Sequence, residues 1–531
     1  MSNPIDRLRT NLRAAAIPAT DADLEGIQAR GFLSRLADFE RIVAGVPAET
    51  LPDYAASPAP LDPLPPPDPP ELPATPDPSG TSVLDAAAAI RAGATSPTAL
   101  LDAALARIDT LDRRLNAFQL VLADEARAAA RRAEEELAAG HDRGPLHGVP
   151  VAVKDLLDMA GHPTTAGSRI RAGAIAAQDA TAVARLRAAG AVIVGKTRLS
   201  EFAYSPGSNN AHYGPTANPY DHSRDTGGSS SGSAAAVATG MALAALGTDT
   251  GCSIRIPAAF CGLVGLKPTW GRTSLAGGFT LSWSLDHLGP LALTVADAAV
   301  LLAALAGPDP RDERTLRAAP AFTASRLDAG VLGLRIGLVN DDGSGQPLAG
   351  EEQLAALRRA AAALAAAGAV VDELALPQLD GLRVIGSAIL GMEAATLHLP
   401  WLRERLDDYG EFMRQRVLAN FAYASGAFVQ AQQARTVLRR TIGAATAGVD
   451  VVLLPIHPGP VPAIGVPAIN GLAIPFNTLG WPALTLPAGT GADGLPLAVQ
   501  LVAKPWDERT LLRAAMVVEQ ALGRIAPPRL P

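Results

Sequence analysis

Apolar residues fall along this chain in two alternating rhythms. Short unbroken runs rich in β-branched residues read as buried strands: VPVAVK (149–154), AVIVG (191–195), LRIGLVN (334–340) and VDVVLLP (449–455). DATAVARLRAAG (179–190) and EEQLAALRRAAAALAAAG (351–368) instead space their apolar positions three and four apart and read as amphipathic helices. Strand–helix alternation sustained over hundreds of residues predicts an α/β layered fold built on a large sheet. No internal repeat interrupts it.

The N-terminal part follows a different pattern. Phe32, Leu36, Phe39 and Val43 recur at helical spacing, with Asp38, Glu40 and Arg41 between them, so residues 1–50 read as two short helices. From Leu51 to Pro78 proline dominates, which excludes helix or sheet interior and predicts an extended, semi-rigid connector. The main body opens with the helix VLDAAAAIRAG (83–93). Ser96-Pro97 then caps a second helix that places Leu100, Leu101, Ala104 and Ile108 on one face. The expected organisation is a helical extension (1–50), a Pro-rich linker (51–80) and one large domain (81–531).

Composition narrows the function. With 48% apolar residues among 531 the chain can bury a sizeable core, and with 18% charged residues and a net charge of −7 it suggests neither a nucleic-acid partner nor a basic membrane-binding surface. No apolar run of about 20 residues predicts a membrane span. Cys252 and Cys261 are the only cysteines, which excludes a disulfide scaffold and a four-cysteine zinc site. The eight histidines never adopt a metal-ligand spacing, so no metal is expected. The opening MSNPIDRLRTNLRAAA lacks a signal-peptide core, which makes a cytoplasmic address the expectation.

Two motif matches mislead. Gly190–Thr197 fits the phosphate-loop expression, but its variable positions are Ala-Val-Ile-Val, which form strand and not a phosphate cradle. Gly228-Ser229-Ser230-Ser231-Gly232 fits the nucleophile elbow, yet turn-formers and not a strand precede it. Asp286 with His287, or His457, would have to complete that alternative.

The chemistry concentrates between Gly227 and Ser274. A Gly–Ser loop opens the segment, an Ala-rich helix follows, and a second small-residue loop holds Ser253. Two serine-bearing loops joined by one helix can bring two hydroxyls together, but no histidine stands near as base. Lys154, ending the run Val149–Val153, is the substitute if it is buried enough to be neutral. Position alone favours the simpler reading, an ion pair between Lys154 and Asp155.

GGSSSGSAAAVA, GTDTGCSIRIPAAFCGLVGLKPTWGR and GVPVAVKD together resemble the amidase signature family of serine hydrolases. The similarity is dense over about 144–295, and SWSLDHLGPLALTVADAA (282–299) and NGLAIPFNTLGWPALTLPAG (470–489) extend it. The resemblance implies a large mixed β-sheet core sandwiched between helices and a Ser-cisSer-Lys triad. By motif, Ser253 before I-R-I-P is the nucleophile, Ser229 the bridging serine after a cis peptide from Gly228, and Lys154 the base. Ser229 follows Lys154 by 75 residues and Ser253 follows Ser229 by 24. In the implied mechanism Ser253 attacks an amide carbonyl as Lys154 accepts a proton through Ser229. Backbone N–H groups of Thr250, Gly251, Cys252 and Ser253 hold the oxyanion, and water resolves the acyl-enzyme. No metal or cofactor is required. Ser230 is expected to hold Lys154 and Ser229, and Arg255 either to grip a substrate carboxylate or to pair with Asp249. Cys252 departs from the family's usual glycine. It costs energy if a positive φ is needed there, and otherwise its thiol shapes the pocket. As a nucleophile it lacks a histidine partner.

The leading expectation is hydrolysis of a small-molecule amide, aryl amide or carbamate (urethane). The alternatives are a glutaminase-type subunit of an amidotransferase, and a catalytically inactive scaffold. The segment FAYSPGSNN (202–210) and the fused N-terminal segment speak against the glutaminase; residues 20–60 either resemble the small accessory subunits that wrap some family members or, as the favoured reading, form an ordinary helical extension covering an apolar patch. Substrate-pocket residues are expected within 300–470, where helices around Met392–Trp401 and Phe412–Gln432 carry Tyr409, Phe412, Phe421, Tyr423 and Phe428, each of which lines an apolar pocket or, as the favoured reading, packs the core. A homodimer is possible.

Overall fold

The structure, a computed structural model, describes residues 3–52, 82–317, 322, 324–466 and 468–529. Most of the Pro-rich connector (51–80) therefore lies outside the described residues. One mixed sheet organises the chain. Its strands are β1 (Phe118–Val121), β2 (Pro150–Lys154), β3 (Val192–Thr197), β4 (Ala244–Asp249), β5 (Val264–Lys267), β6 (His287–Ala292), β7 (Arg335–Leu338), β8 (Val370–Glu373), β9 (Val451–Pro455), β10 (Ala483–Thr490) and β11 (Pro496–Ala503). They lie in the order β1-β3-β2-β4-β6-β5-β10-β11-β9-β7-β8. β2 runs parallel to both β3 and β4, with Lys154 opposite Thr197, while β4, β6, β5 and β10 pair antiparallel. The expected α/β sandwich is thus present.

Each central strand is buried on both faces, as unbroken apolar runs require. Val151 and Val153 of β2 join the larger core, beneath the helices Val295–Leu305, Glu351–Ala366 and Glu508–Leu522. Ala152 faces the other way, into a core made with the helices Pro97–Leu115 and Ser231–Ala238. The latter helix can lie close to the sheet because its side chains are small. At Gly232 a Cβ would stand 2.1 Å from the Ala117 carbonyl oxygen.

Two sequence expectations need correction. The segment after Gly227 is not two loops joined by one helix: the helix ends at Ala238 and β4 intervenes before the second loop. The N-terminal extension holds three helices, Pro4–Ala14, Asp21–Ala29 and Leu36–Ala44, not two. The additional one is announced by a capping box, with the Thr20 side chain on the Asp23 N–H and the Asp23 side chain on the Thr20 N–H. Phe32 lies in the turn before the third helix.

The extension packs on a helical layer formed by Gln378–Glu404, Glu411–Leu418 and Ala427–Ala445. Leu8, Leu12, Ile27, Leu36 and Phe39 share its core with Met413, Val417 and Leu418. Asn11 Nδ2 donates to the Phe421 carbonyl at 2.6 Å, Arg414 meets buried Asp23 at 2.8 Å, and Phe39 meets Tyr423 edge-on at 5.0 Å. Gln378–Glu404 is long and apolar enough to cross a membrane, but two-thirds of its apolar stretch is buried inside the fold, as for a core helix.

Candidate active site

The carboxyl ends of β2 and β4 and the two loops after Asp225 and Asp249 converge on one point. The peptide between Gly228 and Ser229 is cis. Gly228 fits there because its N–H donates to the Pro206 carbonyl at 2.7 Å and a Cβ would stand 2.1 Å from the Gly207 oxygen. Asp225 anchors the approach by accepting from the N–H groups of Gly227 and Ser208 at 2.6 and 3.0 Å, and burial pushes its carboxyl up to about 6.

Lys154, fully buried, does not pair with Asp155. That carboxylate meets Lys196 at 2.7 Å, and Lys196 is itself a buried strand residue and no phosphate ligand. Lys154 Nζ lies instead 2.7 Å from Ser229 Oγ, 3.0 Å from Ser230 Oγ and 2.8 Å from Thr248 Oγ1. Burial among hydroxyls lowers its pKa to about 7, against the opposing fields of Asp249, Asp286 and Cys252. A lysine in this state is available to take up a proton at neutral pH.

Ser253 follows in the second loop and is 5% exposed, whereas Ser229 and Lys154 are fully buried. Ser230 N–H donates to the Ser253 carbonyl, tying the loops together at 3.3 Å. Among the described residues, the backbone N–H groups of Gly251, Cys252 and Ser253 donate to no protein acceptor. Thr250 Oγ1 donates to Asp286 at 2.6 Å, and Asp286 also accepts from the Leu281 and Ser282 N–H groups. Burial raises the Asp286 carboxyl to about 6.

Arg255 sits beneath this loop with no exposed surface. Its five N–H donors meet Asp249 twice at 3.0 Å, Ala473 O at 2.9 Å, and Gln500 Oε1 and Asn477 Oδ1 at 2.6 Å. None is left for a substrate. Burial works against the charge of Asp249, but Arg255 holds the carboxyl well below its usual range. Asp249 in turn accepts from the Ile254 N–H.

Cys252 is not among the residues with positive φ, so a side chain is tolerated there without backbone strain. Its thiol lies 3.7 Å from the Gly228 carbonyl, and burial, then Asp249, push it up to about 12. Neither histidine of the elbow alternative reaches the serines. His287 Nδ1 lies 2.7 Å from Leu285 O, His457 Nδ1 lies 2.9 Å from Gly459 O, and burial lowers the pKa of both rings.

Sequence reasoning missed Thr248, Asp225, Asp286, Asn477 and Gln500 as parts of this arrangement, and also Arg416. The Arg416 guanidinium lies 4.3 Å over the Tyr204 ring, has no carboxylate within ion-pair distance among the described residues, and acts electrostatically on Cys252. Of the aromatic residues expected near a pocket, Phe412 lines a cavity of about 320 Å³ with Tyr204, Ser205 and Gly207, and Arg30 of the extension reaches the same wall. Tyr409, with His398 at 2.8 Å, belongs to the helical core.

A mixed sheet between helices with a buried lysine among serine hydroxyls defines a class. The Amidase family model matches residues 99–512, and this chain belongs to that amidase signature family, whose enzymes act on carbon–nitrogen bonds. It is 42% identical to one subunit of the glutamyl-tRNA(Gln) amidotransferase of Anaeromyxobacter dehalogenans, over 84% of this chain and 97% of that one. Among solved structures it resembles a peptide amidase from Stenotrophomonas maltophilia, with 34% identity and a TM-score of 0.73 over 85% of this chain and 98% of that one. It also resembles a chain of an inhibitor-bound vestigial protein complex that bears on the evolutionary origins of an s-triazine catabolic enzyme, at 36% identity and a TM-score of 0.79 over 84% of this chain and 100% of that one.

Proposed function

We propose that the chain is an amidase that hydrolyses a small-molecule amide, aryl amide or carbamate, with Ser253 as nucleophile, Ser229 as relay and Lys154 as base. The observation that carries this reading is the buried Lys154 amine, poised near neutral pH and 2.7 Å from Ser229 Oγ. Lys154 takes the Ser253 proton through Ser229 as Ser253 Oγ attacks the carbonyl carbon. The N–H groups of Thr250, Gly251, Cys252 and Ser253, which donate to no protein acceptor among the described residues, meet the developing oxyanion, where one such donor contributes about 3–4 kcal/mol. The relay then returns the proton to the leaving nitrogen, and water releases the acyl group. Ser230 and Thr248 hold the Lys154 amine, and Arg255 positions the oxyanion loop and does not touch substrate. Arg416 supplies the cation for a substrate that bears a carboxylate. Residues 1–50 form an extension to the amidase domain that begins near residue 81, and a cytoplasmic address belongs to the same reading.

The amidotransferase relative favours a second reading, in which the same site releases ammonia from glutamine for a partner. Labelling with a fluorophosphonate, followed by mass mapping and an amide and carbamate panel with and without glutamine, tests both. An adduct on Ser253 with turnover of simple amides supports the first. Ammonia release confined to glutamine supports the second. An adduct on Ser230, or no adduct and no turnover, refutes both.

A further inference from the structure

A second cavity, of about 710 Å³, lies on the far side of the serine-bearing helix, and none of Lys154, Ser229 or Ser253 lines it. Its volume is in the range of small-molecule sites, and its walls are mainly apolar, including Leu100, Ala104, Val237, Leu263 and Ile525. Three active-site elements reach it by their other ends. The helix Ser231–Ala238 begins beside Ser229 and ends at the cavity with Val237 and Ala238, about 12 Å along its axis. The helix Arg255–Phe260 begins beside Ser253 and is followed there by Cys261 and Gly262, and Leu243 lies at the cavity just before β4.

The polar groups at this cavity are unequal. Tyr220 Oη donates to the Ala526 carbonyl and Thr239 Oγ1 to the Ala235 carbonyl, so both hydroxyl protons are used. Arg107 spends one N–H on the Thr239 carbonyl at 3.0 Å, and among the described residues no carboxylate lies within ion-pair distance of it. The C-terminal strap closes one wall. Ile525 presses on Gly262, where a Cβ would stand 2.2 Å from its Cδ1, and Pro527 and Pro528 bring no backbone N–H to fix the strap to the body.

We infer that this cavity binds an amphipathic monoanion, a medium-chain aliphatic carboxylate, with its tail among the apolar walls and its carboxylate on Arg107. Arg524 also lines the cavity, and its charge acts on Glu519. Arg107, an exposed cation with no carboxylate within ion-pair distance among the described residues, is therefore the group at this mainly apolar cavity that selects one negative group on an apolar body. Binding there is independent of the reaction proposed for Ser253.

The test is calorimetric titration of the full chain with sodium decanoate, with decyltrimethylammonium as the charge-reversed probe. Arg107 and Ala103 are both exposed on the helix Pro97–Leu115, so Arg107→Gln and Ala103→Trp leave the core intact. The expected result is saturable binding of one decanoate per chain, weakened at least tenfold by each variant, and no comparable binding of the cation. Absence of saturable binding, equal binding of the cationic probe, or affinity unchanged in both variants overturns the inference. So does a dimer in sedimentation that Ala103→Trp dissociates without any decanoate binding, since a second copy then fills the cavity.

Discussion

The pH dependence of Ser253 labelling examines the base directly. An ordinary lysine is protonated far above neutrality, whereas Lys154 is lowered from 10.5 to about 7, burial being the largest cause. If its neutral form drives the attack, about 9% of the enzyme is active at pH 6, about half at pH 7 and about 91% at pH 8. The second-order rate constant for a fluorophosphonate should therefore rise nearly tenfold per unit below pH 6.5 and flatten above pH 8. A lysine left at its ordinary value would be only about 0.3% neutral at pH 8, and labelling would keep climbing through pH 9. Quenched time courses between pH 5.5 and 9.5, read by mass spectrometry of the Ser253 peptide, separate the two. A log-linear rise through pH 9, or a rate indifferent to pH, would refute the assignment of Lys154 as a neutral base.

The same lysine affects stability. Below pH 7 folded and unfolded chains both carry the proton. Between about 7 and 10.5 only the unfolded chain does, so wild-type stability rises with pH across that window by up to about 5 kcal/mol. Lys154→Met should abolish labelling and lose that slope, so that its urea midpoint, relative to wild type, falls between pH 7 and 9; a constant difference contradicts the buried neutral amine. Asp286→Asn removes a charge that raises the Lys154 pKa and weakens the hold on Thr250. Labelling should plateau about tenfold lower, with its acid limb at lower pH. Arg255→Lys leaves several of five buried acceptors unpaired and should cost about 3–5 kcal/mol in denaturation and slow labelling as well. Arg416→Gln should raise KM for carboxylate-bearing amides by about ten- to a hundredfold and leave neutral amides nearly unaffected.

What was legible in the chain follows from how locally each feature is encoded. β2, β3 and β9 are β-branched runs, and the expected strands at 149–154, 191–195 and 449–455 match the observed ones to within two residues at either end. β4 was not legible, because AALGTD carries two alanines, a glycine and two polar residues around a single leucine, where a strand is normally marked by a run of branched side chains. Its burial comes from neighbours on both sides, which no window of sequence contains. The short helix Asp21–Ala29 is marked at its start by a capping box, but Gly26 weakens its apolar pattern, and that glycine packs against the Gln415 side-chain amide.

The candidate site divides along the same line. Lys154, Ser229, Ser230 and Ser253 sit in short motifs that the resemblance to the amidase signature family marks, whereas position alone favours an ion pair of Lys154 with Asp155. Their electrostatics were not legible in the chain. Arg255 is held by Asn477 and Gln500, more than 200 residues away, and Asp286 reaches Thr250 only because the turn before β6 folds over the loop after β4. Sequence left Arg255 open between a substrate cation and a structural one. The burial of all five of its donors makes Arg255 part of the frame, and the cation proposed to meet a substrate carboxylate is Arg416, which lies over the Tyr204 ring and which no motif marks. The side chains proposed to bear the reaction sit in short segments, but the groups that set their charge and angle come from wherever the sheet order β4-β6-β5-β10-β11 brings them. On the proposed reading, a change in substrate preference arises at Arg416 or its Tyr204 platform while the Lys154–Ser229–Ser253 segments stay the same.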